Sequence, residues 1–309
     1  MKTFTLIIVF FFITFLMQPV LAGEESGGYA GSFLDWGAGA RAISMGKSFT
    51  GIADDGTALI WNPAGLAQVS SSEFSAMHAL IFEDRSQNFL ALSYPLNRLT
   101  ISAGWMRFGV SDVQERSTTG ELTGTFDDSE NIFMLGSGYQ VLSIPTLTLN
   151  AGLTAKYFYH SLYEYHASGI GIDLGVLSAF HLTGLVEQIS AGIAIQNLGA
   201  KLKWDTESEH EDNIPATIRF GSALSIRPIP FKLALDLEKK ENQDIRIHAG
   251  AEYSFTILAL RAGLDHDKLT AGAGLMMELG RIGFGLDYAL SSDEVSSDPL
   301  HFFSLRFRF

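Results

Sequence analysis

The chain has 309 residues, no cysteine and a formal net charge of −13. Without thiols it can hold no disulfide framework, thiolate metal site or cysteine nucleophile. Its acidity, with no basic run, argues against nucleic acid as a partner. Hydrophobic residues still make up 47% of the chain, so their arrangement decides the fold class.

The first element is "MKTFTLIIVFFFITFLMQPVLA". It has one basic residue, Lys2, an apolar run from Phe4 to Met17, and a small-residue end at Ala22. That is a secretory signal over residues 1–22, with cleavage expected after Ala22. Its apolar run of ~14 residues falls short of the ~20 a spanning helix needs. Cleavage removes Lys2 and no acid, so the charge goes from −13 to −14. No later apolar run approaches ~18 residues, so a further transmembrane helix is not expected.

The next segment, 23–72, holds "GARAISMGKSFTGIADDGTALIWNPAGLA" at Gly39–Ala67. Asp54-Asp55-Gly56 reads as a turn, Gly56 supplying the positive φ such turns often need. Thr57 to Trp61 can form one or two helical turns. Asn62 is pushed to an extended shape by Pro63, which suits the first position of the next helical turn. Ala64, Gly65 and Ala67 then allow the backbone close against a wall.

From Glu73 to the end, apolar and polar residues alternate with period two. Ile282, Phe284, Leu286, Tyr288 and Leu290 alternate with Arg281, Gly283, Gly285, Asp287 and Ala289. Ile245 to Phe255 and Leu147 to His160 repeat the pattern. Alternation of this kind marks strands with a different solvent on each face. About fourteen such segments of about ten residues occur. They lie at 73–83, 88–96, 99–108, 131–142, 146–159, 167–180, 188–199, 215–226, 229–238, 245–255, 257–264, 268–278, 281–290 and 300–309. At ~3.3 Å per residue and ~45° tilt, ten residues rise about 23 Å, the height of an outer-membrane barrel's apolar band.

The connections alternate between short and long. "PLNR", "SIPT", "RPIP" and "LGR" are tight turns; Gly109–Glu130, His160–His166, Ala200–Ile214, Lys239–Asp244 and Ser291–Pro299 are the expected external loops. Glu83–Gln87 and Asp265–Asp267 are short exceptions. Tyr157 and Tyr159 at one end of a strand, with Tyr253 and Phe255 at the other end of theirs, suit two aromatic girdles. A soluble sandwich or lipocalin-like barrel is the alternative. It would put the apolar face inward and leave a glycine-rich face in water, which weakens strands for no gain. The expected fold is therefore an all-β transmembrane antiparallel barrel of about fourteen strands over 73–309.

In the closing "LHFFSLRFRF", Phe303, Leu305, Phe307 and the terminal Phe309 share one face. A last strand ending on an aromatic resembles the C-terminal signal by which outer-membrane barrels are recognised for insertion. Asp173, Arg219, Lys232, Asp236, Arg246, Glu252, Glu278 and Asp287 face inward with both signs, as in a lumen that pairs its own ions. So wide a barrel needs an occupant, and 23–72 has the composition of a plug. Here the chain resembles the PorV/PorQ family (the UPF0164 group), relatives of the FadL/TodX long-chain fatty acid transporters. The resemblance implies a hatch motif at Asn62, Pro63, Ala64 and Gly65, with a hatch turn at Asp54, Asp55 and Gly56. Ile43-Ser44 and Lys47-Ser48 depart from the family's smaller residues, and a buried Lys47 would need a carboxylate partner or a wet lumen.

No catalytic chemistry is read from the remaining motifs. "GAGARA" at Gly37, "GIGIDLG" at Gly169 and "GFGLDYA" at Gly283 open no helix of a βαβ unit, so they are not dinucleotide fingerprints. His160, His166, His210 and His266 lack the one-turn spacing of a zinc site and fall in expected loops. Asp127, Asp128, Glu130, Asp265 and Asp267 read as a solvated loop face, without EF-hand spacing for Ca²⁺. No serine sits in a nucleophile elbow. The reading is no enzyme, no cofactor and no metal.

Two functions remain. As the FadL side of the resemblance implies, hydrophobic small molecules enter from outside and pass when the hatch shifts. As its PorV side implies, the barrel is a non-transporting scaffold for type IX secretion whose external loops hold a secreted protein. The other expected partners are outer-membrane lipid, lipopolysaccharide and the barrel-assembly machinery, in the outer membrane of a Gram-negative bacterium.

Overall fold

Period-two alternation becomes a strand wherever it occurs. The computed structural model describes residues 28–81, 85–292 and 298–309, so the expected signal peptide lies outside the described residues. The first half holds β1 (Glu73–Leu80), β2 (Arg85–Leu96), β3 (Leu99–Arg116), β4 (Leu122–Ile144), β5 (Leu147–Leu162), β6 (Tyr165–His181) and β7 (Val186–Leu198). A short hairpin, β8 (Lys201–Trp204) and β9 (Glu211–Asn213), follows. Then come β10 (Thr217–Ile226), β11 (Phe231–Lys240), β12 (Ile245–Phe255), β13 (Leu258–Asp265), β14 (Lys268–Leu279), β15 (Ile282–Ser291) and β16 (Leu300–Arg308).

All pairings are antiparallel. β7 pairs with β10 past the short hairpin, and β16 pairs with both β15 and β1, from Glu73↔Arg308 to Leu80↔His301. Leaving out β8 and β9, fourteen strands close one ring. Closure matters because every backbone donor and acceptor in a bilayer must be satisfied within the protein.

The side chains sort as alternation requires. On β6, Ile170, Ile172, Leu174 and Val176 are exposed, Ile170 at 72%, while Asp173 between them is fully buried. On β5, Leu153 and Tyr157 are exposed while Thr154, Lys156 and Phe158 are buried. A soluble sandwich would show the reverse. The apolar face is outside because it meets lipid, and the core lies inside the ring around the N-terminal segment.

Tight turns join strands at the end where β1 begins, the near end. At the far end several expected loops are sheet. β3 runs on to Arg116 and β4 starts at Leu122, so most of Gly109–Glu130 is a projecting ribbon. Val110 and Val113 flank a bulge, and the Asp112 amide donates to Asp127 Oδ1 at 3.1 Å. His160–His166 is likewise strand up to a turn at Tyr163-Glu164, and the 201–213 stretch carries β8 and β9. Alternation fades there because a strand above the bilayer has water on both faces. Backbone pairing persists without the contrast that made it legible.

Candidate functional site in the barrel lumen

Residues 28–72 are a chain of short turns, each too brief to stand alone. They include 3₁₀ turns at Ser32–Trp36 and Pro63–Gln68 and helical turns at Ala40–Ser44 and Ala58–Trp61. The ring holds them together. Phe49, Leu59, Trp61 and Leu66 of this segment are buried with Phe89, Met106, Ile132 and Phe158 from the inner wall. A buried stretch whose partners lie on opposite sides of a closed ring is inside it.

Asn62 ties three pieces at once. Its Nδ2 donates to the carbonyls of Thr50 (2.9 Å) and of Val176 on β6 (3.2 Å), and its Oδ1 accepts the Ala64 amide at 3.2 Å. The backbone at Asn62 is extended, with φ −161°, and Pro63 opens the next turn, where its missing N–H costs nothing. Ala64 is fully buried. Gly65 differs from expectation: a Cβ there would lie 2.0 Å from the Ala53 carbonyl oxygen, so it packs on its own segment, not on the wall. Trp61 Nε1 donates to the Ala38 carbonyl at 2.8 Å, and its ring would meet a Cβ on Gly37 at 2.5 Å.

The Asp54-Asp55-Gly56 turn forms for a different reason from the expected one. Gly56 keeps an ordinary φ; the left-handed residues nearby are Gly46, Lys47 and Ala53. Glycine at 56 makes room instead, because a Cβ would lie 2.8 Å from Ser75 Oγ. Its amide donates to Glu73 Oε1 at 2.7 Å, and Asp55 Oδ1 accepts the Thr57 amide at 3.0 Å.

The two sides of the wall hold the segment by different means. Along β3–β7 the contact is steric and neutral. A Cβ on Gly152 would lie 2.2 Å from the Pro63 carbonyl carbon, and one on Gly192 would lie 2.3 Å from the Thr50 oxygen. Gly138 and Gly175 are similarly close to Ala67 and Asn62. Ser190 Oγ donates to the Gly51 carbonyl at 2.6 Å, and Gln196 donates to the carbonyls of Ile60 and Trp61.

Along β10–β16 the contact is ionic, although Gly250 and Gly263 also admit the backbone. Arg41 lies 2.9 Å from Glu252, which lies 2.7 Å from Arg261. Arg261 lies 2.7 Å from Asp287, Arg306 bridges Asp287 (3.5 Å) to Asp55 (3.3 Å), and Asp55 returns to Arg41 at 3.6 Å. Three guanidiniums and three carboxylates thus close a neutral ring. Asp54 extends it, 2.5 Å from Arg41 and 3.4 Å from Lys232. Burial alone would raise the Asp54 carboxyl, but Arg41 and Lys232 outweigh it and hold it well below the usual carboxylate range. Arg41 is likewise held above its ordinary value by Asp54 and Glu252 against the opposing effect of burial.

Toward the far end, Lys47 Nζ sits 2.5 Å from Asp265 and 2.7 Å from the Asp35 carbonyl oxygen, the partner that position requires. Asp265 is therefore not part of a solvated loop face; it is buried, with His248 2.9 Å away. Asp236 accepts the amides of Phe49 (3.1 Å) and Thr50 (2.8 Å), Arg219 pairs with Glu238, and Arg246 reaches Asp35 at 3.3 Å. Asp173 pairs with Lys156 on β5 at 2.7 Å. Of the charges expected inside, Glu278 differs and is exposed near the end of β14. Sequence reading missed the segment's own share: Arg41, Asp35, Asp54 and Asp55 supply half of these pairs. An arginine and an Asp-Asp pair in an otherwise apolar stretch were the available signal.

His160 pairs with Asp128 at 2.8 Å on strand rather than loop, and His166 stacks on Tyr159 with ring centroids 5.8 Å apart. Among the described residues no group of three or more His, Cys, Asp or Glu could hold a metal ion. Phe303, Leu305 and Phe307 lie on the outer face of β16, and the Phe309 amide donates to the Ser72 carbonyl at 2.9 Å.

At the far end, β7 leaves β6 after Leu198, the chain turns inward at 199–202, and β8 then pairs with β6 through Ser168↔Lys203 and Ala167↔Trp204. A Cβ on Gly169 would lie 1.7 Å from the Lys201 carbonyl oxygen, and Leu202 is buried. Beside it opens a recess of about 460 Å³, reaching Tyr29 and the 241–243 turn. The Tyr29 phenol donates to Asp35 and accepts from Lys240 at 2.6 Å; burial, then Asp35, holds its ionisation well above the ordinary range.

No family model matches the chain, and no curated protein matches it in sequence. Solved structures do resemble it. The Pseudomonas putida toluene transporter TodX aligns with a TM-score of 0.58 at 14% identity, over 88% of this chain and 96% of that one. The Ralstonia pickettii toluene transporter TbuX gives 0.54 at 14%, over 90% and 100%. The CymD monoaromatic hydrocarbon channel gives 0.58 at 14%, over 91% and 99%. At such identity the likeness is one of fold: this chain has the closed fourteen-strand barrel of these transport channels.

Proposed function

We propose that the protein is an outer-membrane barrel of the PorV/PorQ type that binds small hydrophobic molecules and passes them through a plugged lumen. Residues 37–72 act as the hatch, with Asn62-Pro63-Ala64-Gly65 as its hinge against β5–β7. The observation that carries this reading is the far-end recess, which leads to the rim of a lumen otherwise filled by that segment. The fold shared with toluene and monoaromatic channels supports it. Signal cleavage after Ala22 and insertion through the Phe303–Phe309 face belong to the same reading.

The test is uptake of a hydrophobic fluorescent probe into proteoliposomes, beside planar-bilayer conductance. The intact protein should pass the probe with little steady ion conductance. Ala64→Trp should displace the segment, make 37–72 cleavable by protease and change uptake. An intact protein with a large open conductance, or with no probe uptake, would overturn the reading. The projecting β3–β4 ribbon favours a second reading, a scaffold that holds a secreted protein. It would gain if 37–72 becomes cleavable in Ala64→Trp while neither form takes up the probe.

A further inference from the structure

On the outside of β2–β5 the residues change character within three register rows. In the lowest, Leu90 pairs with Trp105, Trp105 with Phe133 and Phe133 with Tyr157, so the row is apolar or aromatic. In the highest, Ser86 pairs with Gly109, Gly109 with Ser129 and Ser129 with Ser161. Between them run Asn88, Arg107, Asn131 and Tyr159. The residues that alternate with this row, Phe89, Met106, Ile132 and Phe158, are buried inside the ring. An outer face that passes from aromatic to hydroxyl-bearing marks the edge of the apolar band, where girdles sit and head groups begin. This is the far-end edge, because β3 and β4 run on from it into the ribbon.

Three features of the middle row narrow what meets it. First, Arg107 is a cation on the lipid side, and among the described residues it has no ion pair or hydrogen-bond partner. Asp128 and Glu130 alternate to the inner face. The nearest outward carboxylate on these strands, among the described residues, is Asp127, four residues beyond Asn131 and about 13 Å along β4. Second, both flanking asparagines have used their acceptors. Trp105 Nε1, which can only donate, bonds Asn131 Oδ1 at 3.2 Å, and His78 Nδ1 meets Asn88 Oδ1 at 2.8 Å. Each amide NH₂ is left without a partner among the described residues, one on either side of Arg107. Third, Asn88, Arg107 and Asn131 are all partly exposed, so these donors are open to a ligand.

Directly opposite positions lie about 5 Å apart, so one small anion can touch all three side chains. The guanidinium fork already engages both oxygens of a carboxylate, and a phosphodiester likewise has two free oxygens. A phosphate monoester keeps a third terminal oxygen for the amides. We propose that this row binds a phosphate of lipid A, the phosphorylated glycolipid of lipopolysaccharide. Arg107 holds the phosphate, Asn88 and Asn131 donate beside it, and the acyl chains lie along Phe133 and Tyr157, which are 49% and 45% exposed. This rests on the outer-membrane reading, in which the far end faces outward, and not on what the lumen carries.

Native mass spectrometry of the intact protein in detergent tests it, with diphosphoryl lipid A, its dephosphorylated form and phosphatidylglycerol offered at equal concentration. Diphosphoryl lipid A should bind about tenfold tighter than either of the others, the factor of a charge-assisted hydrogen bond. Arg107→Gln should bring it down to the level of the dephosphorylated form, and Asn88→Leu should give a smaller loss. Lys239→Gln, at another exposed far-end cation on β11, should change nothing. Heat-modifiable gel mobility shows that each variant is folded. Equal binding of the dephosphorylated form or of phosphatidylglycerol overturns the phosphate monoester as ligand. Binding that survives Arg107→Gln, or falls as far in Lys239→Gln, overturns the site. Either failure leaves the carrier reading standing, because no lumen residue takes part.

Discussion

The β3–β7 and β10–β16 walls enclose the same segment but grip it in opposite ways. One is a mould: Gly138, Gly152 and Gly192 bring backbone against backbone and Gly175 admits the Asn62 side chain, where dispersion depends on fit and is indifferent to salt. The other is a lock of alternating charges that includes Arg41 and Asp55 from the segment itself. Buried ion pairs add little net stability over apolar packing, because desolvation offsets attraction. They do penalise any arrangement that leaves one charge alone. The mould therefore sets how closely the segment sits, and the charges set the register in which it sits.

The sharpest way to break this contrast is to remove one charge. Arg41→Met leaves three carboxylates facing two guanidiniums and should weaken seating by about 3–5 kcal/mol. It would be read as protease cleavage within 37–72 and a rise in conductance. Adding Glu252→Gln should recover much of the loss; a double variant no better than the single would show that neutrality is not what matters.

On the moulded wall, Gly152→Val should cost about 1–3 kcal/mol through overpacking against Pro63. The loss should be equal in low and high salt. Strong salt dependence would erase the distinction between the walls.

Acid should act on the charged wall first. Asp54 has a lowered native value, so its contribution is whole above about pH 4 and is lost as pH falls through that lowered value. Protease sensitivity of 37–72 should therefore rise only below about pH 4, with Arg41→Met already sensitive at neutral pH. An onset near neutrality would point to another group. The smallest effect belongs to Glu209→Ala, exposed on the β8–β9 turn, which should move seating by less than about 0.5 kcal/mol.

The barrel was legible in the sequence because two solvents write two periodic faces, and each of the fourteen ring strands falls on a segment where Ile, Leu, Phe or Tyr alternates with Gly or polar residues. What was not legible follows from the same rule. Val113 and Phe126 pair in a ribbon with water on both sides, so their strands carry no contrast. The site was legible locally: the extended Asn62, the Pro63 turn and the need of Lys47 for a carboxylate are consequences of bonds and charge. Its partners were not, because Arg41 and Glu252 are 211 positions apart and only the closed ring brings them together.

The path of the segment has one more consequence. Tyr29 lies beside Lys240 and the 241–243 turn at the far end, and Glu73 begins β1 at the near end. The chain is thus threaded through its own barrel like a cord through a bead, and one end of the cord becomes part of the bead. The strands of the seam also hold the cord: Gly39 donates to Met77 Sδ on β1, and Ala40 donates to Ser304 Oγ on β16. Wherever such a cord moves, it stays tied to the ring at Glu73.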